Sequence, residues 1–553
     1  MTLRDEFTGY YEELLEGSYD CLDRIVLNAY YSMGQNPGGF RTWWRKLHGS
    51  DENLDDAHIQ RYAGRLKRRI EAYASKNHIP FIFCESGERK HLAAEKYLPA
   101  DSNFKGLFLV IVGRAPAPVW EVDHTRDGRI RNIYRKKKWP YINHYYFHLM
   151  DPEWGHITVR MSGYPPFGAQ VIANGHEWVE RRAVQKGLSI IKEGNCYVGG
   201  PDFQALNRIA QASRAEHAIG RLIKACDRWL YSSCLCFALD LSEQEKSGFK
   251  YSYSTFQMEY SRNLLFKSGD MLDEVYEKLL ERTWRMLDVK KLRTIFGRKK
   301  RPHTYKCRGL ESGRLDKVID RPSHNLTVFK LHFGKTTLKI YDKGDRVLRI
   351  EVVAHNAGDL KCGKTISRLP ALLTKMEDIL VNFLNTVQAA HISYLDDGTF
   401  DSLSMPSQRG EKRLAGVALD KPRMRAAIDA VLALSTKPDG FTSAELAQKT
   451  CLLNGWSEDQ YSRRNAYYDI TKLQGKNFLK RVGKSHRYFV PAEGVRLLFG
   501  ALIVRDKVIK PILASLSRPE RGRPPKTIHP VDVHYDNLRR ELLKTFETLG
   551  LAA

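Results

Sequence analysis

The stretch Thr336–Asn356, TTLKIYDKGDRVLRIEVVAHN, constrains the fold of this chain more than any other. Apolar and polar residues alternate on both sides of Lys343-Gly344-Asp345, the pattern of two antiparallel strands around a tight turn. With those three residues as the loop, the pattern predicts Asp342 facing Arg346, Ile340 facing Leu348 and Leu338 facing Ile350. Leu338, Ile340, Leu348, Ile350 and Val352 then share one face, and Thr337, Lys339, Tyr341, Arg349 and Glu351 the other. A slip of one residue mixes the faces, so the pattern is expected to select the register. The same register sets Lys339 opposite Arg349, and directly opposed like charges destabilise a sheet. A negative group is therefore expected nearby: Glu351, a carboxylate from another strand, or a phosphate. Tyr341, their neighbour, is a candidate nucleophile if the two cations lower its pKa. The plainer reading is a half-exposed hairpin with solvated charges and a tyrosine packed on its edge.

Other segments supply a core for this hairpin to join. Residues 1–16 read as a short amphipathic helix, and Asp23-Arg24-Ile25-Val26-Leu27 as a charged pair leading into a strand. Residues 40–47 and 57–75 read as helices, the second basic on its outer face (Arg61, Arg65, Lys67, Arg68, Arg69). Residues 79–83 are a short strand, and LFLVIV at 107–112 is an apolar run that predicts a strand buried on both faces. Val119–Val122 follows a proline break. The charged run RIRNIYRKKK at 129–138 reads as a solvated turn or a phosphate-contacting loop. Residues 142–148 and 156–161 form a strand pair about the turn 151–155, followed by a strand at 168–173 and a helix at 175–186. From 202 to 296 the periodicity predicts helices, the last of them (271–296) stopped by Gly297 and Pro302. A helix at 369–387 lies behind the hairpin.

The expected fold class is mixed α/β, multidomain: a mixed-sheet core with a helical insertion and a C-terminal winged helix-turn-helix. Residues 1–201 form the N-terminal α/β domain, 202–302 the helical region, and 303–395 a hairpin and helix that complete the core. Residues 396–421 are a linker, 422–515 the winged-helix domain and 516–553 a basic tail.

Charge narrows the class of partner. Lys plus Arg number 89 against 64 Asp plus Glu, a formal net charge of +25 over 553 residues. So large an excess favours a polyanion. It is densest at the end, where residues 421–553 carry 24 Lys/Arg against 13 Asp/Glu. The nine cysteines, at 21, 84, 196, 226, 234, 236, 307, 362 and 451, form no paired CxxC motif, so a zinc ribbon or finger is not expected. Their odd number and a start without an apolar leader fit a reducing cytoplasm. No apolar run reaches membrane-spanning length, so no membrane partner is expected.

The C-terminal module carries the most interpretable pattern. A first helix at 424–434 precedes two capping boxes, Thr442-Ser443-Ala444-Glu445 and Ser457-Glu458-Asp459-Gln460, each expected to open a helix. Short strands at 478–482 and 487–490 flank Gly483-Lys484-Ser485. Three helices and a hairpin make the winged-helix plan, with the third helix in the major groove and the wing on the backbone. On that helix Arg463, Arg464, Asn465 and Tyr467 stand where base edges are reached, Arg suiting guanine and Asn adenine. Lys472, Lys480, Lys484 and Arg487 suit phosphate contacts. A winged helix used for protein contacts is the alternative. Further on, Arg521-Gly522-Arg523-Pro524 resembles an AT-hook core, whose arginines would follow a narrow minor groove; a basic linker is the other reading.

Three stretches resemble a large family of bacterial proteins with no assigned activity. HYYFHLMDPEWGHITVRMSGYPPFGAQVIANGHEWVERR (144–182) resembles its HYYF–LD–FG–HVR–PF–QV–NG pattern. KIYDKGDRVLRIE (339–351) is similar to its K-YDK…VLRIET segment, and Asp23-Arg24-Ile25-Val26 to its D-R-x-V. The likeness covers residues 20–390; VVAHN here replaces the family's TTIN ending, which leaves any role of those threonines open. The hairpin alone is also similar to rolling-circle replication initiators of plasmids and filamentous phages, which cut one strand with a tyrosine and a metal. Their His-hydrophobe-His motif is missing; His144 and His148 are spaced differently but share a strand face, so a two-histidine site is open.

These features together predict a DNA-binding protein of a mobile element or its replication machinery. If it performs chemistry, the expected reaction is phosphodiester transfer with Mg2+ or Mn2+ held by Asp23, Glu121, Asp342 and Glu351, and Tyr341 as nucleophile. Lys339 and Arg349 are expected at the nucleic acid, with Arg463, Arg464, Asn465, Lys472, Lys484, Arg487, Arg521 and Arg523. The alternatives are a non-enzymatic transcriptional regulator and an RNA-binding protein in which Tyr145, Tyr146 and Phe147 stack on bases.

Overall fold

The structure, a computed structural model, describes residues 5–85, 87–101, 103–275, 314–320, 326–333, 336–343, 345–391, 402–409, 412–503 and a few positions between 505 and 544. Its strands are β1 (Leu15–Tyr31), β2 (Phe81–Phe83), β3 (Gly106–Pro116), β4 (Trp120–His124), β5 (Ile130–Arg135), β6 (Tyr141–Asp151), β7 (Gly155–Ser162) and β8 (Ala169–Asn174). There follow β9 (Ile191–Lys192), β10 (Tyr197–Gly199), β11 (Tyr251–Phe266), β12 (Arg314–Asp320), β13 (Leu326–Phe333), β14 (Thr336–Lys343) and β15 (Val347–Ala354). Eleven of them make one sheet in the order β12-β13-β14-β15-β11-β1-β8-β7-β6-β3-β2. Neighbours run antiparallel except β2 and β3, which are parallel. The fold is mixed α/β around this large mixed sheet.

The apolar run at 107–112 is a strand covered on both faces, as its composition requires. Val110 and Val112 join the main core, while Leu109 and Ile111 join a smaller cluster with Cys84, Ala94 and Phe108. The helix Asp56–Lys76 buries Ile59, Leu66 and Ile70 and leaves Arg61, Lys67, Arg68 and Arg69 exposed. Its Arg65 is instead drawn inward by Glu243, at 2.8 Å. The charged run at 129–138 contributes a strand, β5, which pairs with β4 apart from the main sheet.

Residues 202–302 are not purely helical. Helices Phe203–Gln211, Glu216–Ser233 and Leu241–Ser247 are followed by β11, a strand of 16 residues at the centre of the sheet. Its sequence, YSYSTFQMEYSRNLLF, carries too many polar side chains to announce a buried strand. Those polar groups are buried because strands on both sides supply partners. β11 joins β1 to β15, so the N-terminal part and the hairpin belong to one sheet.

In the hairpin the faces are as the alternation requires, but the register differs by two residues. Lys343 pairs with Val347, Tyr341 with Arg349, Ile340 with Ile350 and Lys339 with Glu351. A shift of two conserves every face, so the pattern fixes only the parity of the pairing. The expected clash of Lys339 with Arg349 disappears, because Glu351 takes the place opposite Lys339.

Helix Leu369–His391 lies against β11 and β15. The C-terminal unit has its own core, which includes Ile428, Val431, Leu446, Ile470, Leu473 and Phe499. It comprises helices Pro422–Leu434, Ser443–Asn454 and Arg463–Gly475, the paired strands Lys480–Arg481 and Tyr488–Phe489, and helix Ala492–Ile503. Thr442 and Glu445 form the expected capping box. Ser457–Gln460 does not open the third helix: it makes a turn, and Ser462 caps the helix from Arg463. The proposed linker is partly structured, since Ser407–Arg409 pairs with Lys412–Leu414 and Leu403 and Val417 are buried.

His148 links the fold to pH. It is 3% exposed, with Nδ1 at 3.0 Å from His156 Nε2 and 3.2 Å from Thr158 Oγ1. Burial, then His156, lowers its pKa to about 3, so the folded state holds it neutral where an unfolded chain protonates it below 6.5. Its contribution is therefore present above pH 6.5 and lost as pH falls toward 3. Urea denaturation should show the wild type losing on the order of 3 kcal/mol more than His148→Leu between about pH 6.5 and 4. Equal losses would contradict this.

Candidate functional site

Polar side chains of four adjacent strands meet on one face of the sheet. The pairing aligns Lys339, Glu351, Ser261 and Cys21 in one row, and Tyr341, Arg349, Asn263 and Tyr19 in the next. Lys339 Nζ lies 2.8 Å from Glu351 Oε2, which also accepts from the Tyr341 hydroxyl at 3.3 Å. Arg349, 1% exposed, donates from Nε to Asn263 Oδ1 at 2.6 Å and from Nη2 to the Asn195 carbonyl, and its Nη1 stands 3.9 Å from Asp23 Oδ2. Asn263 in turn donates to Ser261 Oγ at 2.9 Å, and Ser261 to Asp23 Oδ1 at 2.8 Å.

This arrangement corrects the roles expected of the hairpin. Burial, then Glu351, pushes the Tyr341 hydroxyl well up, so it is not an activated nucleophile. Arg349 is buried and engaged, and Lys339 is neutralised by Glu351; neither presents a free charge to a phosphate.

The local chain explains how Asp23 comes to this face. Leu22 pairs with Tyr260 and Arg24 with Glu259, leaving Asp23 as the extra residue of a bulge. Against that bulge sits the start of helix Gly175–Gln185, so close that a Cβ on Gly175 would lie 1.8 Å from the Leu22 carbonyl oxygen. Only glycine fits there. Asn174 caps the helix by accepting from the His176 N–H, and His176 is thereby set beside Asp23, Nδ1 to Oδ1 3.2 Å.

Cys21, Asp23 and His176 are all buried, and one donor atom from each lies within 4.8 Å of the others. Among the described residues Asp23 Oδ2 and both ring nitrogens of His176 have no hydrogen-bond partner, the 3.2 Å approach being poorly directed. Each such group costs about 1–3 kcal/mol when left unsatisfied. Burial raises the Asp23 pKa to about 7 against the pull of Arg349, and burial holds His176 well below the usual imidazole range. Burial likewise pushes the Cys21 thiol up.

The four carboxylates named for Mg2+ or Mn2+ do not assemble. Asp23 and Glu351 share the polar face, close enough that Glu351 contributes to the Asp23 shift. Glu121 lies on β4, opposite Tyr134, in a separate two-stranded sheet. Asp342 follows Tyr341 on β14 and alternates to the opposite face. His144 and His148 share a face but stand roughly 13 Å apart along the strand, too far to hold one ion; His148 pairs with His156 instead. Tyr145 and Phe147, expected to stack on RNA bases, are 1% and 0% exposed and lie in the core.

In the C-terminal unit, Arg463, Arg464 and Lys484 are exposed and Asn465 is half-buried. Lys472 is buried and lies 4.7 Å from the Tyr468 ring centroid, so it is a packing residue. Arg487 clamps the loop before the second helix, donating to the carbonyls of Asp439 and Gly440 at 2.8 Å each and pairing with Glu445. Neither is placed for a phosphate. Arg521 and Arg523 lie outside the described residues. Cys21, His176, Ser261 and Asn263 carry no local pattern that marks them as site residues, apart from the run Asn174-Gly175-His176, a cap followed by a glycine.

Replacing Arg349 by Met strands Asp23 and Asn263, and should cost about 3–5 kcal/mol in chemical denaturation. Lys339→Met removes the cation from the buried Glu351 carboxylate but keeps the Tyr341 hydroxyl on it, and should cost less, about 1–3 kcal/mol. Similar costs would show that the buried face is not organised around Arg349. In comparisons with known proteins, the chain matches no family model, no curated protein and no solved structure.

Proposed function

We propose that this protein binds duplex DNA through residues 422–503, used as a winged helix. The observation that carries the reading is the two-sidedness of helix Arg463–Gly475. One side, Ala466, Ile470 and Leu473, is buried in the unit's core. The other exposes Arg463, Arg464, Tyr467 and Tyr468. Asp469 does not oppose these cations, because it is buried, with Arg423 at 2.7 Å and the Tyr461 hydroxyl at 2.9 Å. At the hairpin, Lys480, Arg481 and Lys484 are exposed. Arginines on the helix can address base edges, while the hairpin cations hold the backbone.

The formal charge of +25 supports a polyanionic partner. The reading is one of binding, since Glu121 and Asp342 lie away from Asp23 and Glu351, and the Tyr341 hydroxyl is pushed up rather than down. Duplex DNA is favoured over RNA because two of the three aromatics offered for base stacking are in the core. A place in a mobile element or its replication is carried by the resemblance of Lys339–Glu351 alone.

The test is selection of a preferred duplex from a random pool, followed by anisotropy titration of variants against it and a scrambled duplex. Arg463→Ala should lose about 1–3 kcal/mol of discrimination at one base pair. Lys484→Ala should weaken both duplexes alike and reduce the salt slope by about 1. Equal loss of specificity in the two variants, or a single strand that outcompetes the duplex, would overturn the assignment.

A further inference from the structure

We infer that Cys21, Asp23 and His176 form a centre for one divalent transition-metal ion of borderline softness, Zn2+ foremost. The donor set decides the class of ion. A thiolate, an imidazole and a carboxylate together suit Zn2+ and its neighbours, whereas Mg2+ and Mn2+ prefer oxygen donors. The three donor atoms lie within 4.8 Å of one another. Ligands at zinc distances of about 2.0–2.3 Å stand roughly 3.5 Å apart, so the cluster needs to close by about 1 Å.

Two further observations point to a ligand. Asp23 Oδ2 and both nitrogens of His176 are buried without a hydrogen-bond partner, at residues 3% and 0% exposed. An ion seated among them supplies the contact that no hydrogen bond gives these atoms; Arg349 Nη1, 3.9 Å from Asp23 Oδ2, is the one cation already beside the carboxylate among the described residues. The backbone is also built for the approach: the bulge presents Asp23, and Gly175 lets the helix start close on Leu22 so that His176 reaches the same place. Asn263 and Ser261 orient the carboxylate from behind, the kind of outer contact that fixes metal ligands. Three protein donors leave one position of a tetrahedral ion open. Binding releases the Cys21 thiol proton, which makes uptake pH-dependent.

The experiment uses the full chain, stripped with a chelator under reducing conditions and titrated with Co2+, with Zn2+ as competitor. The wild type should bind one Co2+ with a thiolate-to-cobalt charge-transfer band that Zn2+ abolishes. The band should be lost in Cys21→Ser and kept in Cys236→Ser, which removes a half-buried thiol elsewhere. Zinc should raise the thermal midpoint of the wild type, and that rise should vanish in His176→Asn. A wild type without the band, or a band that survives Cys21→Ser, overturns the centre. Should Cys21→Ser not fold, zinc-edge X-ray absorption of the zinc-loaded wild type decides: one sulfur at about 2.3 Å supports the centre, and a shell without sulfur overturns it.

Discussion

Two guanidinium groups buried on opposite faces of neighbouring strands, Arg262 on β11 and Arg349 on β15, set the terms for the rest of the sheet. Taking such a charge out of water costs several kcal/mol unless opposing charge and hydrogen bonds are in place. Arg262 is held by Asp20, at 2.8 and 2.7 Å, and by Asp5. Arg349 is held by Asn263 and Asn195, with Asp23 beside it. The partners come from the first residues of the chain and from near positions 195 and 263. Neither β11 nor β15 can satisfy its own buried arginine. That requirement, added to apolar burial, places a hairpin from beyond residue 336 two strands away from β1.

The same arrangement separates two kinds of work. The polar face of β1, β11, β14 and β15 is mostly buried, with Lys339 at its half-buried edge, so it orients groups against one another and offers little surface to a polymer. Solvent-exposed cations stand elsewhere, on the outer side of helix Asp56–Lys76 and on the C-terminal unit, where the proposed DNA contacts lie. Helix Leu369–His391 connects the sheet to the C-terminal unit: it packs on β11 and β15 and on helix Ala492–Ile503. Lys375 reaches Asp439 at 3.5 Å, and Arg496 reaches Glu6 at 2.7 Å. The C-terminal unit is thereby tied to the segment whose Asp5 neutralises Arg262.

Much of the fold was legible because periodicity reports which side of an element is buried. The LFLVIV run, the pair about residues 151–155 and both faces of the 336–356 hairpin follow from it. Periodicity is blind to a slip of two, so the hairpin's register and the partner of Lys339 were not legible. β11 was missed because its buried polar residues, Ser261, Arg262 and Asn263, need partners more than 85 positions away in the chain, among them Arg349, Asp20 and Asp23. The site suffered the same way. Asp23, Glu351, Tyr341 and Arg349 were singled out and do share one face, but their roles depend on groups no local pattern announces. A bulge at Asp23 and a close approach at Gly175 arise only when the sheet is assembled.

The central claim, that the solvent-facing cations of the C-terminal unit engage a phosphate backbone, is tested most directly by the salt dependence of duplex binding. Each phosphate neutralised contributes about −0.9 to the slope of log affinity against log salt. Engagement of Arg463, Arg464, Lys480, Arg481 and Lys484 predicts a slope of about −4 to −5 for the full chain. A slope near zero, or no duplex binding at low salt, would contradict the account.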